Sequence, residues 1–371
     1  MKARHILMAG TTDSFPDIEY ASGFKAPDPV VFLRAGADNY LVVPQMELGR
    51  ASRTGKSVHV FTPEGLGLSG PARGRLREWT FRLLRRLKIE SVIVPVLFPH
   101  GVAKHLEKRG IRVLIASEPL FPERAVKTSD ELRRIRESQQ AAVIAMRAAT
   151  ALITNSEPDK AGFLRFRGKM ITSEYVRDLI ARILFEHNCM SKDIIVAGGA
   201  QAADPHEIGA GPLRAGETIV MDIFPRNMTH GYWGDLTRTI VKGSATLFMK
   251  KVYHAVKAAQ AVALAHVKAG VKCSSVHRSV VNEFNRRGLF SSVSGNQGAG
   301  FIHSTGHGVG LAIHEAPSVS TAEGRLKAGN VITIEPGLYY PGIGGVRIED
   351  TIVVTASGWR YLVPCEKKFE V

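Results

Sequence analysis

The chain is poor in cysteine and has no long apolar run. Its three cysteines, Cys189, Cys273 and Cys365, lie far apart in 371 residues, with no C-x-x-C spacing. That excludes a disulfide scaffold and a cysteine-rich zinc module, and free thiols in a reducing, cytoplasmic setting are the expectation. No apolar stretch approaches the length of a membrane span. The opening M-K-A-R-H-I-L-M-A-G has too short an apolar run for a secretory signal, and Asp13 and Asp17 follow closely. There is no low-complexity segment and no short-period repeat. A Gly-rich phosphate loop is also missing: the glycines between Gly65 and Gly74 do not join a strand to a helix at the required spacing, so a nucleotide site is not expected.

What is present begins with charge. The formal net charge is +15 and the pI about 9.8, which raises the question of an anionic partner. The densest basic stretch runs from Ala72 to Lys88. Within it Leu76, Trp79, Phe81, Leu83, Leu84 and Leu87 recur at helical spacing, so the segment reads as an amphipathic helix with arginines on its wet face. No RNP, zinc-finger or basic-zipper pattern accompanies it. Nucleic acid is therefore not an expected partner, and neither is a membrane.

The first part of the chain alternates short apolar runs with helical ones. Arg4–Gly10, Pro29–Ala35, Asn39–Pro44, Ser57–Pro63, Glu90–Val96 and Ile111–Ala116 read as strands, and Val102–Arg109 as a helix. Such alternation predicts an α/β domain over residues 1–125. The pattern breaks near Pro119–Pro122. Ser129 then reads as the N-cap of a helix to Ile153, with Leu132, Ile135, Val143 and Met146 along one stripe. Further helices are expected from Thr172 to His187, Thr246 to Lys268 and Ser274 to Arg287, with strands, hairpins and a Gly-rich Ser292–Gly300 loop between and after them. Long helices grouped with antiparallel hairpins predict an α+β domain over residues 126–371.

The chemistry concentrates in two stretches of that second domain. One is I-V-M-D-I-F-P-R-N-M-T-H-G-Y-W-G-D-L-T-R-T, with Asp222 and Asp235. Paired as a hairpin, the two runs can aim both carboxylates into one cavity. Taken alone, the pair reads equally as turn aspartates flanking a polar loop. The other stretch, Phe301 to Asp350, places Glu335 and Glu349 after β-type runs and sets His303, His307 and His314 among glycines. Two glutamates on adjacent strands, together with two aspartates, make an acidic cluster that needs compensating cations. Carboxylates with one imidazole suit Mn, Co, Fe or Zn. His307, between Gly306 and Gly308, is the best-placed imidazole. The glycines argue against the H-E-x-x-H helix of zinc proteases.

These residues carry a resemblance. The order Asp…Asp…His…Glu…Glu, with G-Y-W-G-D-L-T-R-T, G-H-G-V-G-L-x-x-H-E-x-P, E-P-G-L-Y and G-G-V-R-I-E-D, resembles the pita-bread metallopeptidases, the family of methionine aminopeptidase, aminopeptidase P, prolidase and creatinase. The match covers roughly residues 126–371, while residues 1–125 resemble the smaller creatinase-type N-terminal domain by pattern and position. The resemblance implies a site for two divalent metal ions (Mn, Co or Zn) held by Asp222, Asp235, His307, Glu335 and Glu349, with Asp235 and Glu349 bridging. His303 and Arg347 resemble residues of the proline-specific branch and imply substrate binding there. His206 and His314 imply catalytic contacts to a peptide carbonyl, and Glu335 a proton shuttle. The complete ligand set argues against creatinase.

The function so implied is metal-assisted hydrolysis of the Xaa-Pro bond at the N-terminus of peptides or in dipeptides. A methionine-type or broader aminopeptidase, and a binding module that has lost catalysis, stay open at this point. A peptide is the implied substrate and a homodimer the family expectation. One departure is visible: Asp222 and Asp235 stand thirteen apart, two more than is common in that family. An even insertion at a hairpin tip keeps both side chains on one face.

Overall fold

A computed structural model describes residues 5–116, 119–294 and 297–371, without side chains for 293–297. The chain forms two compact units, Met1–Arg124 and Ala125–Val371.

The first unit is a six-stranded sheet. Its order runs His59–Phe61, Asp38–Val42, Val30–Ala35, Ile6–Gly10, Ser91–Val94, Arg112–Ile115. The two pairings between the three strands Ile6–Gly10, Val30–Ala35 and Asp38–Val42 are antiparallel, and the outer ones are parallel. Side chains alternate across the sheet, as the period-two pattern requires. Leu7, Ala9, Val31 and Leu33 pack on one face against Trp79, Leu83, Leu84, Val102 and Leu106 of two helices. Met8, Phe32 and Leu41 pack on the other against Ile18, Ala21 and Phe121. Helices on both faces of a mixed sheet make this an α/β unit. The basic segment is helical only over Leu76–Arg86, after a 3-10 turn at Gly70–Gly74. A helix at Pro16–Ser22 was not legible, because its seven residues are too few to show a period.

The second unit is built of two halves of like construction. In one, the helices Ser129–Thr154 and Ser173–Glu186 bury Ala142, Met146, Ala149, Val176 and Ile180 against an antiparallel sheet of Ile195–Gly198, Ile219–Ile223 and Leu236–Ile240. In the other, the helices Leu247–His266 and Cys273–Arg286 bury Val252, Val256, Val276 and Val280 against a five-stranded sheet. That sheet runs Glu315–Val319, Gly306–Gly308, Val331–Ile334, Asp350–Val354, Trp359–Tyr361. Thr128, not Ser129, caps the long helix. Its hydroxyl accepts from the Glu131 N–H and the Glu131 carboxylate accepts from the Thr128 N–H, a reciprocal capping box that Ser129 cannot form. The stretch read as a Gly-rich loop carries short paired strands at Ser292–Ser294 and Gln297–Ala299, and its residues 295–296 lie outside the described residues, as does Arg4 of the first expected strand. Among the described residues no helix is long and apolar enough to cross a membrane, and the three cysteines are free thiols, two of them buried.

Candidate metal centre

The two sheets of the second unit meet side by side, and their junction carries the site. Ile219–Ile223 and Leu236–Ile240 pair antiparallel, with Asp222 opposite Thr237 and Ile223 opposite Leu236. Asp222 and Asp235 therefore face one cleft despite the longer connection. That connection is ordered by Asn227, whose side-chain oxygen accepts from the N–H groups of Thr229 and His230, and Arg226–Asn227 pairs with Cys189–Met190. From the second sheet, Glu335 follows Val331–Ile334 and Glu349 precedes Asp350–Val354, two strands paired so that Ile334 opposes Asp350. His307 lies on the short strand between two glycines. A Cβ on Gly306 would stand 2.0 Å from the Thr333 carbonyl oxygen, and one on Gly308 would stand 2.4 Å from that of Ala316. Only glycine allows the strand that carries His307 to approach so closely.

The sheets are joined by hydroxyls. Thr237 Oγ1 donates to Glu349 Oε2 at 2.8 Å, and the Glu349 N–H donates to the Thr237 carbonyl. Thr239 Oγ1 both donates to the Arg347 carbonyl and accepts from the Arg347 N–H, at 2.9 and 3.0 Å. Thr333 Oγ1 accepts from the His307 N–H and donates to Glu335 Oε1.

All nine residues singled out in the sequence line one cleft of about 1030 Å³: His206, Asp222, Asp235, His303, His307, His314, Glu335, Arg347 and Glu349. One donor atom each from Asp235, His307 and Glu349 comes within 4.8 Å of the others, the one such candidate group among the described residues. Glu335 lies next to it, with Oε1 3.3 Å from His307 Nε2, while Asp235 Oδ2 is 3.5 Å from the same nitrogen. His307 Nδ1 stands 3.2 Å from the Gly308 carbonyl. A carbonyl only accepts, so the ring proton is assigned to Nδ1, and Nε2 turns its lone pair toward the carboxylates.

The electrostatics are those of an uncompensated cluster. Burial raises the Asp235 and Glu349 carboxyls well above the ordinary range, and the neighbouring carboxylates reinforce it. Burial likewise pushes Glu335 up to about 8, with Arg347 opposing and Asp222 adding to the rise. Burial and then His314 push His307 down to about 4. Asp222 Oδ1 is buried with no hydrogen-bond partner among the described residues. Lone pairs that converge on one another, in groups whose charged forms are disfavoured by burial, are the donor set a divalent cation fits.

Arg347 and His303 are engaged with the protein itself. Arg347 donates from Nη2 to Asp222 Oδ2 at 2.8 Å, from Nη1 to the Tyr339 hydroxyl at 2.8 Å, and from Nε to Thr237 Oγ1. His303 Nδ1 donates to the Ser304 carbonyl at 2.7 Å, and Nε2 accepts from the Tyr339 hydroxyl at 2.9 Å. Burial, then Arg347, pushes the His303 ring down to about 3. His314 packs edge-on to His307, ring centres 4.3 Å apart, and His206 is exposed at the rim.

Several residues of the site were not found from the sequence. Gln139 grips the Asp235 peptide, and Tyr339, Thr237 and Thr333 orient the charged side chains. A signal for Gln139 existed, because it falls on the buried stripe of its helix between Ile135 and Ala142, where a polar residue needs a partner.

Comparison with known proteins identifies the family. The description "Metallopeptidase family M24" matches residues 133–356. The chain is 32% identical over 292 residues, 76% of its length and 75% of the relative's, to the Xaa-Pro dipeptidase of Pyrococcus horikoshii. It is 34% identical over 66% of its length and 65% of the relative's to that of Pyrococcus furiosus. The crystal structure of the prolidase from Pyrococcus horikoshii OT3 superposes with a TM-score of 0.80 at 28% identity, covering 98% of this chain and 95% of that one. Fold and cleft are thus those of a pita-bread metallopeptidase. The chain belongs to metallopeptidase family M24, where it falls in the Xaa-Pro dipeptidase, or prolidase, branch.

Proposed function

We propose that the protein hydrolyses the Xaa-Pro bond, at the N-terminus of peptides or in dipeptides, with two divalent metal ions. Asp222, Asp235, His307, Glu335 and Glu349 would hold the pair. The observation that carries this reading is the convergence of the His307 Nε2 lone pair with the buried oxygens of Asp235, Glu335 and Glu349. The Xaa-Pro dipeptidases to which the chain is similar support the substrate. Bound there, the cations would lower the pKa of a water and polarise a peptide carbonyl.

The chain's own groups do the rest. Glu335, beside His307 on the cleft wall, accepts a proton from the attacking water and delivers it to the departing prolyl nitrogen. His314 and His206, on the cleft wall, donate hydrogen bonds to the carbonyl oxygen as charge develops on it. Arg347 acts through Asp222 and Tyr339, and His303 through Tyr339, so the two shape the prolyl side by fixing its wall. A prolyl nitrogen has no N–H, so a site that needs no backbone donor from that residue suits it.

The test is hydrolysis by metal-depleted protein reloaded with Mn, Co or Zn, on Gly-Pro dipeptides, Xaa-Pro tripeptides and Met-initiated peptides in parallel. Cleavage confined to Xaa-Pro bonds is expected, and the ratio of dipeptide to tripeptide rates assigns the length class. Preference for Met-initiated peptides overturns the proline assignment.

A further inference from the structure

The loop that presents His314 is held from behind by a buried ion pair. Lys127 Nζ bonds to Glu315 Oε1, and the two side chains are 1% and 7% exposed. The other carboxylate oxygen of Glu315 accepts from the Ala312 N–H at 3.3 Å. The loop is shaped around this carboxylate: a Cβ on Gly310 would stand 2.4 Å from Glu315 Oε1 and 2.7 Å from Oε2. Gly310, Gly308 and Glu315 are further fixed by the opposition of Gly308 to Glu315 and by Trp233, whose N–H donates to the Gly310 carbonyl and whose indole donates to that of Leu311.

Lys127 is anchored just as firmly at its backbone. Its N–H donates to the Gly329 carbonyl, Val126 bridges to Asn330, and Asn330 Nδ2 donates to the Ala125 carbonyl. The ammonium thus projects from a fixed point at the start of the second unit. A charge pair buried this deeply pays a large desolvation penalty, and packed apolar residues would stabilise the fold as well or better. Stability alone gives no reason for it. Geometry does: the pair fixes the residue next to His314, whose ring lies edge-on to His307.

We propose that Lys127 and Glu315 are positioning residues that set the His314 loop for peptide hydrolysis. The inference rests on the hydrolytic function proposed above. It assigns to the ion pair an effect on kcat rather than on metal binding, because neither residue belongs to the proposed ligand set. A single neutralisation removes one member of a buried charge pair and endangers folding. The informative variants are therefore Lys127→Met/Glu315→Gln, which removes both charges together, and Lys127→Arg, which keeps the charge but changes the reach and the donor geometry.

The experiment measures kcat, KM and bound metal for wild type and both variants on an Xaa-Pro tripeptide with Mn. For the double variant, kcat is expected to fall about tenfold to a hundredfold, the range seen when groups behind a reactive residue are removed. Its metal stoichiometry and far-UV circular dichroism should match wild type. Lys127→Arg should retain fold and metal with an intermediate kcat, and KM should change by less than about twofold in both, since the His314 hydrogen bond is made chiefly as charge develops on the carbonyl oxygen. An inactive, metal-loaded wild type overturns the hydrolytic reading and this proposal with it. An active wild type with either variant folded and within about twofold of its kcat overturns the positioning role alone. A kcat loss that tracks lost metal assigns the pair to the metal site and likewise overturns it.

Discussion

Gln139 holds Asp235 by both ends of its peptide. Its Oε1 accepts from the Asp235 N–H at 2.7 Å and its Nε2 donates to the Asp235 carbonyl at 2.9 Å, with Gln139 wholly buried. The helix can come this near because residue 234 is glycine: a Cβ there would stand 2.6 Å from the Gln139 nitrogen. Replacing Gln139 by Leu strands one buried donor, the Asp235 N–H, while the Asp235 carbonyl keeps the Thr351 hydroxyl at 2.7 Å. Stability should fall by about 1–3 kcal/mol for the stranded N–H, and metal affinity by about tenfold to a hundredfold. Thermal unfolding of the metal-free variant and a metal titration read the two effects separately. Unchanged affinity would show that the clamp serves the fold alone.

A second support lies behind Glu349. Arg238 donates to the Glu349 carbonyl and to Asp350 Oδ1, the latter at 2.7 Å, while Lys367 and Gln260 contact Asp350 Oδ2 at 2.6 and 3.1 Å. The Arg238 and Asp350 side chains are buried. Arg238→Met should therefore destabilise the protein by about 1–3 kcal/mol, because Asp350 loses one buried charged hydrogen bond but keeps Lys367. Equilibrium denaturation in urea checks this, and a loss below about 1 kcal/mol contradicts the buried-pair account.

The hairpin tip makes the protein sensitive to acid at one histidine. His230 Nδ1 accepts from the Tyr232 N–H at 3.2 Å, which assigns the ring proton to Nε2, facing Glu137 at 3.2 Å. Burial lowers the His230 pKa from its ordinary 6.5, against the pull of Glu137. A depressed folded pKa means that the unfolded chain takes up the proton first as pH falls. The contribution of this site is thus fully present above pH 6.5 and is lost as pH drops through the folded value. The metal-free protein should lose stability as pH falls below about 6.5, with the depressed His303 and His307 acting in the same direction, and His230→Gln should lessen the slope there. A wild-type curve unaffected by the substitution would contradict the assignment.

Much of the site was legible because its charged residues break the pattern around them. Asp222 interrupts an apolar strand, Glu335 and Glu349 end β-type runs, and glycines flank His307. Each is a local anomaly that a strand or turn cannot explain by itself. What supports them was not legible, for two physical reasons. Gln139 lies 96 residues from Asp235, and its place on a buried helix stripe calls for a partner without saying which. Lys127 and Glu315 lie 188 apart, and each alone reads as an ordinary surface charge. Arg347 was legible as a charged residue near the site, yet its engagement with Asp222, Tyr339 and Thr237 could come only from the sheet junction. The four long helices of the second unit were readable to within a residue or two, but the cap at Thr128 was set by the reciprocal bond with Glu131 rather than by residue type.

The central claim is a two-metal Xaa-Pro hydrolase, and metal-dependent cleavage with a metal count tests it most directly. Metal-free protein is titrated with Mn while hydrolysis of an Xaa-Pro tripeptide is followed at each step. The account predicts activity that rises from baseline, saturates at two ions per chain, and is abolished in Asp235→Ala and Glu349→Ala variants that remain folded. Full activity in either variant, or cleavage that proceeds with all metal removed, would contradict it.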